Sequence, residues 1–277
     1  MLRILAVTKR VLGDALGHFN NDDGWAIASH LALSALLALF PFLIFATSLA
    51  SFLGARAFAD TAVHLVFDTW PDEIAEPIAR EVTSVLTVPR GDVLTFGILI
   101  TAYFASNGIE ALRVGLNRAY RVVETRSIFL LRAQSLGFVI VSTLLVVAPI
   151  AVGIAEKHLP WIRPFTGTIT VWRFIIAVLV IVGGLIAVHM WLPAGRRRFR
   201  DIIPGLIFTL VFWVAGSSAF AAYLGRFSSY ASTYAGLASM MIALVFLYMI
   251  SAIFIIGGEL NAAIMRYLDA RSRVRPV

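Results

Sequence analysis

Cysteine is absent from the 277 residues, so disulfides and thiolate-held metals are excluded. Charge is scarce as well: Asp, Glu, Lys and Arg make up 14% of the chain, against 60% hydrophobic residues. Soluble domains run at about 25% charged and about 45–50% apolar, so this composition belongs in a membrane. The five histidines, His18, His30, His64, His158 and His189, are scattered, with no His-x-His or His-Glu-x-x-His pattern. Metal-dependent hydrolysis needs such clustering, so a metal nuclease is not expected. No Gly-x-x-x-x-Gly-Lys-Ser/Thr loop occurs, which removes P-loop binding of ATP. No cofactor, metal or catalytic residue is assigned, and the protein is not expected to be an enzyme.

Long apolar runs are what the chain does have. A helix needs roughly 20 apolar residues to cross a bilayer, and six segments qualify, at about 26–54, 93–113, 130–155, 171–192, 202–224 and 236–264. The expected fold is therefore all-α: a single polytopic membrane domain over 1–277 with six transmembrane helices. The net charge of +7 would suggest nucleic acid in a soluble protein, but here it follows topology. With the N-terminus inside, sixteen of the 23 basic residues fall on inner segments, among them Arg3, Lys9, Arg10, Arg118, Arg121, Arg126, Arg196 to Arg198 and Arg266. Both termini are then cytoplasmic, and no nucleic-acid partner is expected.

Leu2, Leu5, Leu12, Leu16 and Phe19 mark one face of a basic amphipathic helix over 1–20, suited to the membrane surface. Lys9, Arg10 and Asp14 interrupt it, unlike a signal peptide. Asn20 to Gly24 reads as a turn and cap. Pro41 should kink or re-aim the first span. Residues 55–92 hold seven acids and three arginines and read as an external helical hairpin. Tyr223, Tyr230 and Tyr234 suggest a polar-aromatic turn between the last two spans, with Tyr230 and Tyr234 as structural staples.

The second span turns polar without a proline to end it. Ser106, Asn107, Glu110, Arg113 and Asn117 keep much of that polarity on one helical face. Ionisable groups at bilayer depth are costly and usually face a protein interior or water. At about 1.5 Å per residue, Asn107, Glu110 and Arg113 come level with Glu259 and Asn261 of the sixth span and with His30 and Ser34 of the first. A polar chamber open to the cytoplasm is expected there, with Arg113 paired to Glu259 or Glu110. Asn117 and Pro41 are read as structural. Arg118 to Arg126 falls in the cytoplasm and requires no special role. Gly216-Ser217-Ser218 and His189 are the elements of a serine protease, but small residues are ordinary packing material in membrane helices.

Three blocks resemble the YihY/virulence factor BrkB family of bacterial inner-membrane proteins. They are Leu33 to Pro41; Ala105-Ser-Asn-Gly-Ile-Glu-Ala-Leu-Arg113 followed by Asn117, Tyr120, Glu124 and Arg126; and Pro204-Gly205 through Thr233-Tyr-Ala-Gly236 to Phe246-Leu-Tyr248 and Gly258-Glu-Leu-Asn-Ala262. Ala235-Gly236 stands where the family more often has Gly-Ser, and Phe246 where Trp is common. The resemblance implies a six-span inner-membrane fold and no particular activity; members once carried the label ribonuclease BN. The expected function is transport or lipid handling, with the phospholipid bilayer and a lipid or small anionic amphipathic solute as partners. Asn107, Glu110, Arg113, Glu259, Asn261, His30 and Ser34 are the candidate binding residues. The alternative is a non-transporting envelope scaffold in which the polar cluster only stabilises packing. Oligomeric state is left open.

Overall fold

Seven helices make up the described residues' secondary structure apart from Glu76, itself helical; in this computed structural model the described residues are 2–52, 76, 96–158, 166–226 and 228–273. The seven helices are α1 (Leu2–Asn21), α2 (Gly24–Phe52), α3 (Phe96–Ala119), α4 (Ile128–His158), α5 (Thr166–Trp191), α6 (Phe199–Arg226) and α7 (Ser228–Arg273). Each of the six expected spans coincides with one of α2 to α7. These six have 24 to 46 residues, or about 36–69 Å at 1.5 Å per residue, more than the ~30 Å hydrocarbon core. Ile128–Leu145, Phe199–Gly225 and Met240–Ser272 are long and apolar enough to cross a membrane, and Gly24–Leu39 and Val178–Trp191 are shorter apolar runs. Leu37, Leu179, Val214 and Met241 point outward, exposed. Apolar side chains on the outside of helices of this length are what lipid contact requires.

Local chemistry sets the helix ends. Asp22 and Asp23 form the turn between α1 and α2, with Asp23 left-handed at φ 54°, a conformation that Asp tolerates. Leu130 N–H reaches Ser127 Oγ at the start of α4, and Asp201 accepts from the Arg198 N–H at the start of α6. Both are side-chain caps on otherwise unpaired donors. Pro41 lies inside α2 without ending it. The link expected through Tyr223 to Tyr234 is shorter than that: α6 runs to Arg226 and α7 begins at Ser228, which puts Tyr230 and Tyr234 in the opening turns of α7. Aromatic and Ser-rich composition suggested a longer loop there, but from Ser228 to Gly236 neither a proline nor a charge interrupts the helix. Of the hairpin expected at 55–92, only Glu76 lies among the described residues.

The core is built around α2, α3 and α7, with α6 packed on α7 and α1 along the last turns of α7. Val11 and Ala15 of α1 are buried against Ala263, while Leu12 and Leu16 remain exposed on its other face. The tightest seam joins α6 to α7. A Cβ on Gly205 would lie 2.0 Å from the Gly257 carbonyl oxygen, and one on Gly257 would lie 2.2 Å from Thr209 Oγ1. The obstructing atoms include backbone, so neither neighbour can give way. Small residues that let backbones touch are the usual means of helix association in membranes. Gly257→Ala should therefore force the helices apart and cost about 1–3 kcal/mol. Gly184→Ala, whose Cβ would meet nothing within 4 Å, is the matched control. Thermal unfolding in detergent should rank the two in that order.

Candidate functional site

The polar residues gather at one end of the bundle in three groups. The first bridges α3 and α4. Arg113, 2% exposed, donates to the Leu131 carbonyl at 3.1 Å and Ser135 Oγ at 3.2 Å, and lies 3.3 Å from Glu110. Arg132 of α4 approaches the same carboxylate at 3.1 Å, donates to Ser106 Oγ and Asn107 Oδ1, and stacks over the Tyr103 ring.

The second group ties the carboxyl end of α3 to three other helices. The α3 ending is a Schellman turn, with Val122 N–H bonded to the Asn117 carbonyl and Arg121 N–H to that of Arg118. Its left-handed position is filled by Arg121 at φ 57°, where glycine is usual. Asn117 accepts from the Ala194 N–H at 2.7 Å and donates to Glu124 at 3.0 Å. Arg126 clasps Glu124 at 2.7 Å through two nitrogens and donates to the Leu192 carbonyl. Gln134 donates to the Trp191 carbonyl at 2.6 Å. The carbonyls at the end of α5 are thus met by a cation and an amide, as a helix C-terminus favours.

Beyond the end of α3, the Tyr120 hydroxyl joins His189 of α5 (3.0 Å) to Asn261 of α7 (3.1 Å). Asn261 Oδ1 accepts from the Gly205 N–H at 2.6 Å, so its amide must donate to Tyr120. The tyrosine then donates to His189 Nδ1, which leaves the ring proton on Nε2. Arg197 stacks on Tyr120 with its guanidinium 3.9 Å from the ring centroid. Burial, opposed by the Asn261 bond, pushes the Tyr120 hydroxyl up to about 12, so it stays protonated and able to donate.

The third group fastens α1. Glu259, 2% exposed, lies 2.8 Å from His18 Nδ1 and 3.6 Å from Arg121. Arg121 also faces Asp14, which pairs with Arg266 of α7. The left-handed turn at Arg121 aims that side chain at Glu259.

Above these groups the bundle holds an open cavity of about 490 Å³. Its wall is almost wholly apolar and takes residues from all of α2 to α7, among them Leu39, Ile109, Val139, Ile181, Trp213 and Phe254. Because α5 leans on α6 and only lightly on α3, the space lies between α5 and the α2–α3–α7 core.

The expected constellation is therefore divided. Asn107, Glu110 and Arg113 fall in one group, Asn261 and Asn117 in a second and Glu259 in a third. Arg113 pairs with Glu110 and not with Glu259, whose partners are His18 and Arg121. His30 is exposed and Ser34 half-buried, and neither is a partner in these groups. None of the seven candidate residues lines the cavity. His189 and Ser218 stay apart in bonding: Ser218 Oγ donates to the Val214 carbonyl of its own helix. Arg121 and Arg126, read from sequence as needing no role, hold two of the three groups. His18, Tyr120 and Arg132 were not singled out for a site, and His189 was weighed only as a partner for a serine. The signal for Arg132 was in the sequence, one turn into an apolar helix.

A family profile described as Virulence factor BrkB matches residues 15–277. The chain belongs to the virulence factor BrkB family. Among relatives of this BrkB-family chain, the ribonuclease-like protein YfkH of Bacillus subtilis is 26% identical over 259 residues, covering 91% of this chain and 94% of YfkH. A UPF0761 membrane protein of Rhodospirillum centenum is 24% identical across 92% of this chain, which spans 57% of that protein. Another from Pseudoalteromonas translucida is 25% identical, with 86% and 80% covered. No solved structure matches. The ribonuclease wording belongs to YfkH; among the described residues of this BrkB-family member, no three His, Cys, Asp or Glu side chains are placed to hold a metal.

Two predictions concern the clasps. Bonds from Arg126, then from Asn117, hold the Glu124 carboxyl down to about 2, from an ordinary 4.5. A depressed carboxylate stabilises the fold above its unfolded value and loses that contribution as pH falls through the folded one. Melting curves should therefore show wild type losing stability between about pH 4.5 and 2. Glu124→Gln should be roughly 1–3 kcal/mol weaker at pH 7 and less sensitive over that window. In double-mutant cycles, Arg113 and Glu110 should couple by about 0.5–3 kcal/mol, whereas Arg113 and Glu259 share no partner and should add. Exchanging the charges of Arg113 and Glu259 should rescue nothing.

Proposed function

We propose that this membrane protein crosses the bacterial cytoplasmic membrane six times with both ends inside. In this reading it handles a lipid or small anionic amphipathic solute by taking its apolar chain into the cavity between α5 and the α2–α3–α7 core. The cavity carries the reading: about 490 Å³ of almost wholly apolar space shared by the six long helices falls in the size range of small-molecule sites, about 300–1,000 Å³. At bilayer depth, hydrocarbon is the chemistry such a wall accepts. Orientation is supported by the basic residues at the polar end, where Arg118, Arg121, Arg126, Arg132, Arg197 and Arg266 gather, since Lys and Arg favour the cytoplasmic side. The role is binding and movement, with no chemical step.

A non-transporting scaffold is the second reading. It is favoured by the pairing of Arg113, Arg126, Arg132 and Glu259 within the chain, which leaves the polar groups occupied in holding helices together.

Gly184 separates the two. It lines the cavity, and a Cβ added there would meet nothing within 4 Å; the same holds at Gly183, which lies off the wall. Gly184→Phe should fill the space without unfolding the bundle. Phospholipid retained through purification, and transfer of a labelled phospholipid between liposomes, should both fall several-fold. Gly183→Phe should behave as wild type, and both variants should melt where wild type does. Undiminished retention and transfer in Gly184→Phe would leave the scaffold as the better reading.

A further inference from the structure

Glu110 lies between two guanidiniums, with Arg113 3.3 Å from Oε1 and Arg132 3.1 Å from Oε2. The two arginines differ in their other commitments. Arg113 is buried and held by Ser135 and the Leu131 carbonyl, while the Arg132 side chain is 28% exposed and that of Glu110 41%. The other bonded groups around them, Ser106, Asn107 and Ser135, are neutral, so the group carries a surplus of one positive charge. Its rim is apolar and outward-facing: Tyr103, Phe104, Phe129 and Leu130 are all exposed. A charged group rimmed by lipid-facing side chains, about one turn into α4, sits at headgroup level.

A seam leads from this group to the cavity. Arg132, Ser135, Val139 and Ser142 recur at intervals of three and four, which places them in one stripe of α4. Val139 and Ser142 wall the cavity, as do Ala105 and Ile109 of facing α3. From Arg132 to Val139 the helix rises about 10 Å, well within the reach of an acyl chain.

We infer that Arg132 and Arg113 hold the phosphate of an anionic phospholipid, with Glu110 occupying that place when no lipid is bound. The inference rests on the cavity as the seat of the acyl chain. Glu110 is the exchangeable member because it is the most exposed of the three and its carboxylate can turn out to water. Arg132 takes the phosphate with a planar fork that matches two phosphate oxygens at once. Arg113 adds a second, fixed charge. Exchange of carboxylate for phosphate leaves neither guanidinium unpaired at bilayer depth, where an unpaired charge is costly.

The opposed signs expected at Glu110 and Arg132 make the test. Purified protein is offered equal phosphatidylglycerol and phosphatidylcholine in detergent, and retained lipid is counted by native mass spectrometry, with melting temperature measured alongside. Wild type should prefer phosphatidylglycerol. Arg132→Gln should lower that preference about tenfold, as loss of one charge-assisted phosphate contact does, and Arg132→Lys should restore part of it. Glu110→Gln removes the competitor and should raise the preference several-fold. If Glu110→Gln and Arg132→Gln both lower retention and melting temperature together, the group is a clamp and the inference fails. It fails equally if wild type shows no headgroup preference. Gly184→Phe should lower retention of both lipids alike and leave their ratio unchanged. If Gly184→Phe changes nothing while Arg132 and Glu110 shift the ratio in opposite directions, the headgroup site stands and the cavity reading falls.

Discussion

A polar group buried among packed helices has to find its partner inside the protein, and the carboxyl end of α3 is where this chain meets that constraint. Within ten residues, Asn117, Tyr120, Arg121, Glu124 and Arg126 reach the end of α5, Asn261 of α7 and the side of α1. They satisfy carbonyls and amides that would otherwise be orphaned where helices stop. Everything else at this end depends on that knot. The α5 terminus is fixed by Arg126, the α6–α7 contact by Asn261 bonding Gly205, and α1 by Glu259 through His18. The turn needs a left-handed residue, and the chain accepts an arginine there at a backbone cost of order 1–3 kcal/mol. What offsets the strain is the direction in which it throws the guanidinium, toward Glu259 and Asp14.

The knot also separates two kinds of space. Below it the interior is polar and internally paired; above it is apolar and open. His189 marks the boundary, bonded to Tyr120 on one side and packed at 5.0 Å against Phe254, a cavity residue, on the other. The glycine contact between α6 and α7 holds that pair together, because backbones in contact cannot slide apart cheaply.

Much of this was legible in the sequence, for identifiable reasons. The six long helices follow from apolar runs, since a bilayer leaves a hydrophobic segment little choice but helix. The importance of Ser106 to Arg113, and of Glu259 and Asn261, follows from the cost of polarity at depth. Depth is estimated from the rise per residue. Azimuth was not legible. Whether Arg113 meets Glu259 or Glu110 depends on how each helix is rotated about its axis, and hydropathy in a nearly all-apolar helix carries almost no record of that. The aromatic stretch before Gly236 was misread for a related reason: inside a membrane protein, aromatic and hydroxyl residues fit a helix as well as a turn. Arg121 and Arg126 were passed over because the positive-inside tendency already explained them, and one sufficient cause concealed a second.

By itself, then, the sequence determined that this is a helical membrane protein, where its long helices lie, which residues are too polar for their depth, and its membership of the BrkB family. Those properties are set by composition along the chain, and one dimension is enough to read them. Only the tertiary structure decided which partner each polar group takes, and it resolved one expected polar chamber into three paired groups beneath an apolar cavity. Pairing is settled by distances of about 3 Å or less between side chains up to 252 residues apart, and those distances exist only after the helices have packed and turned.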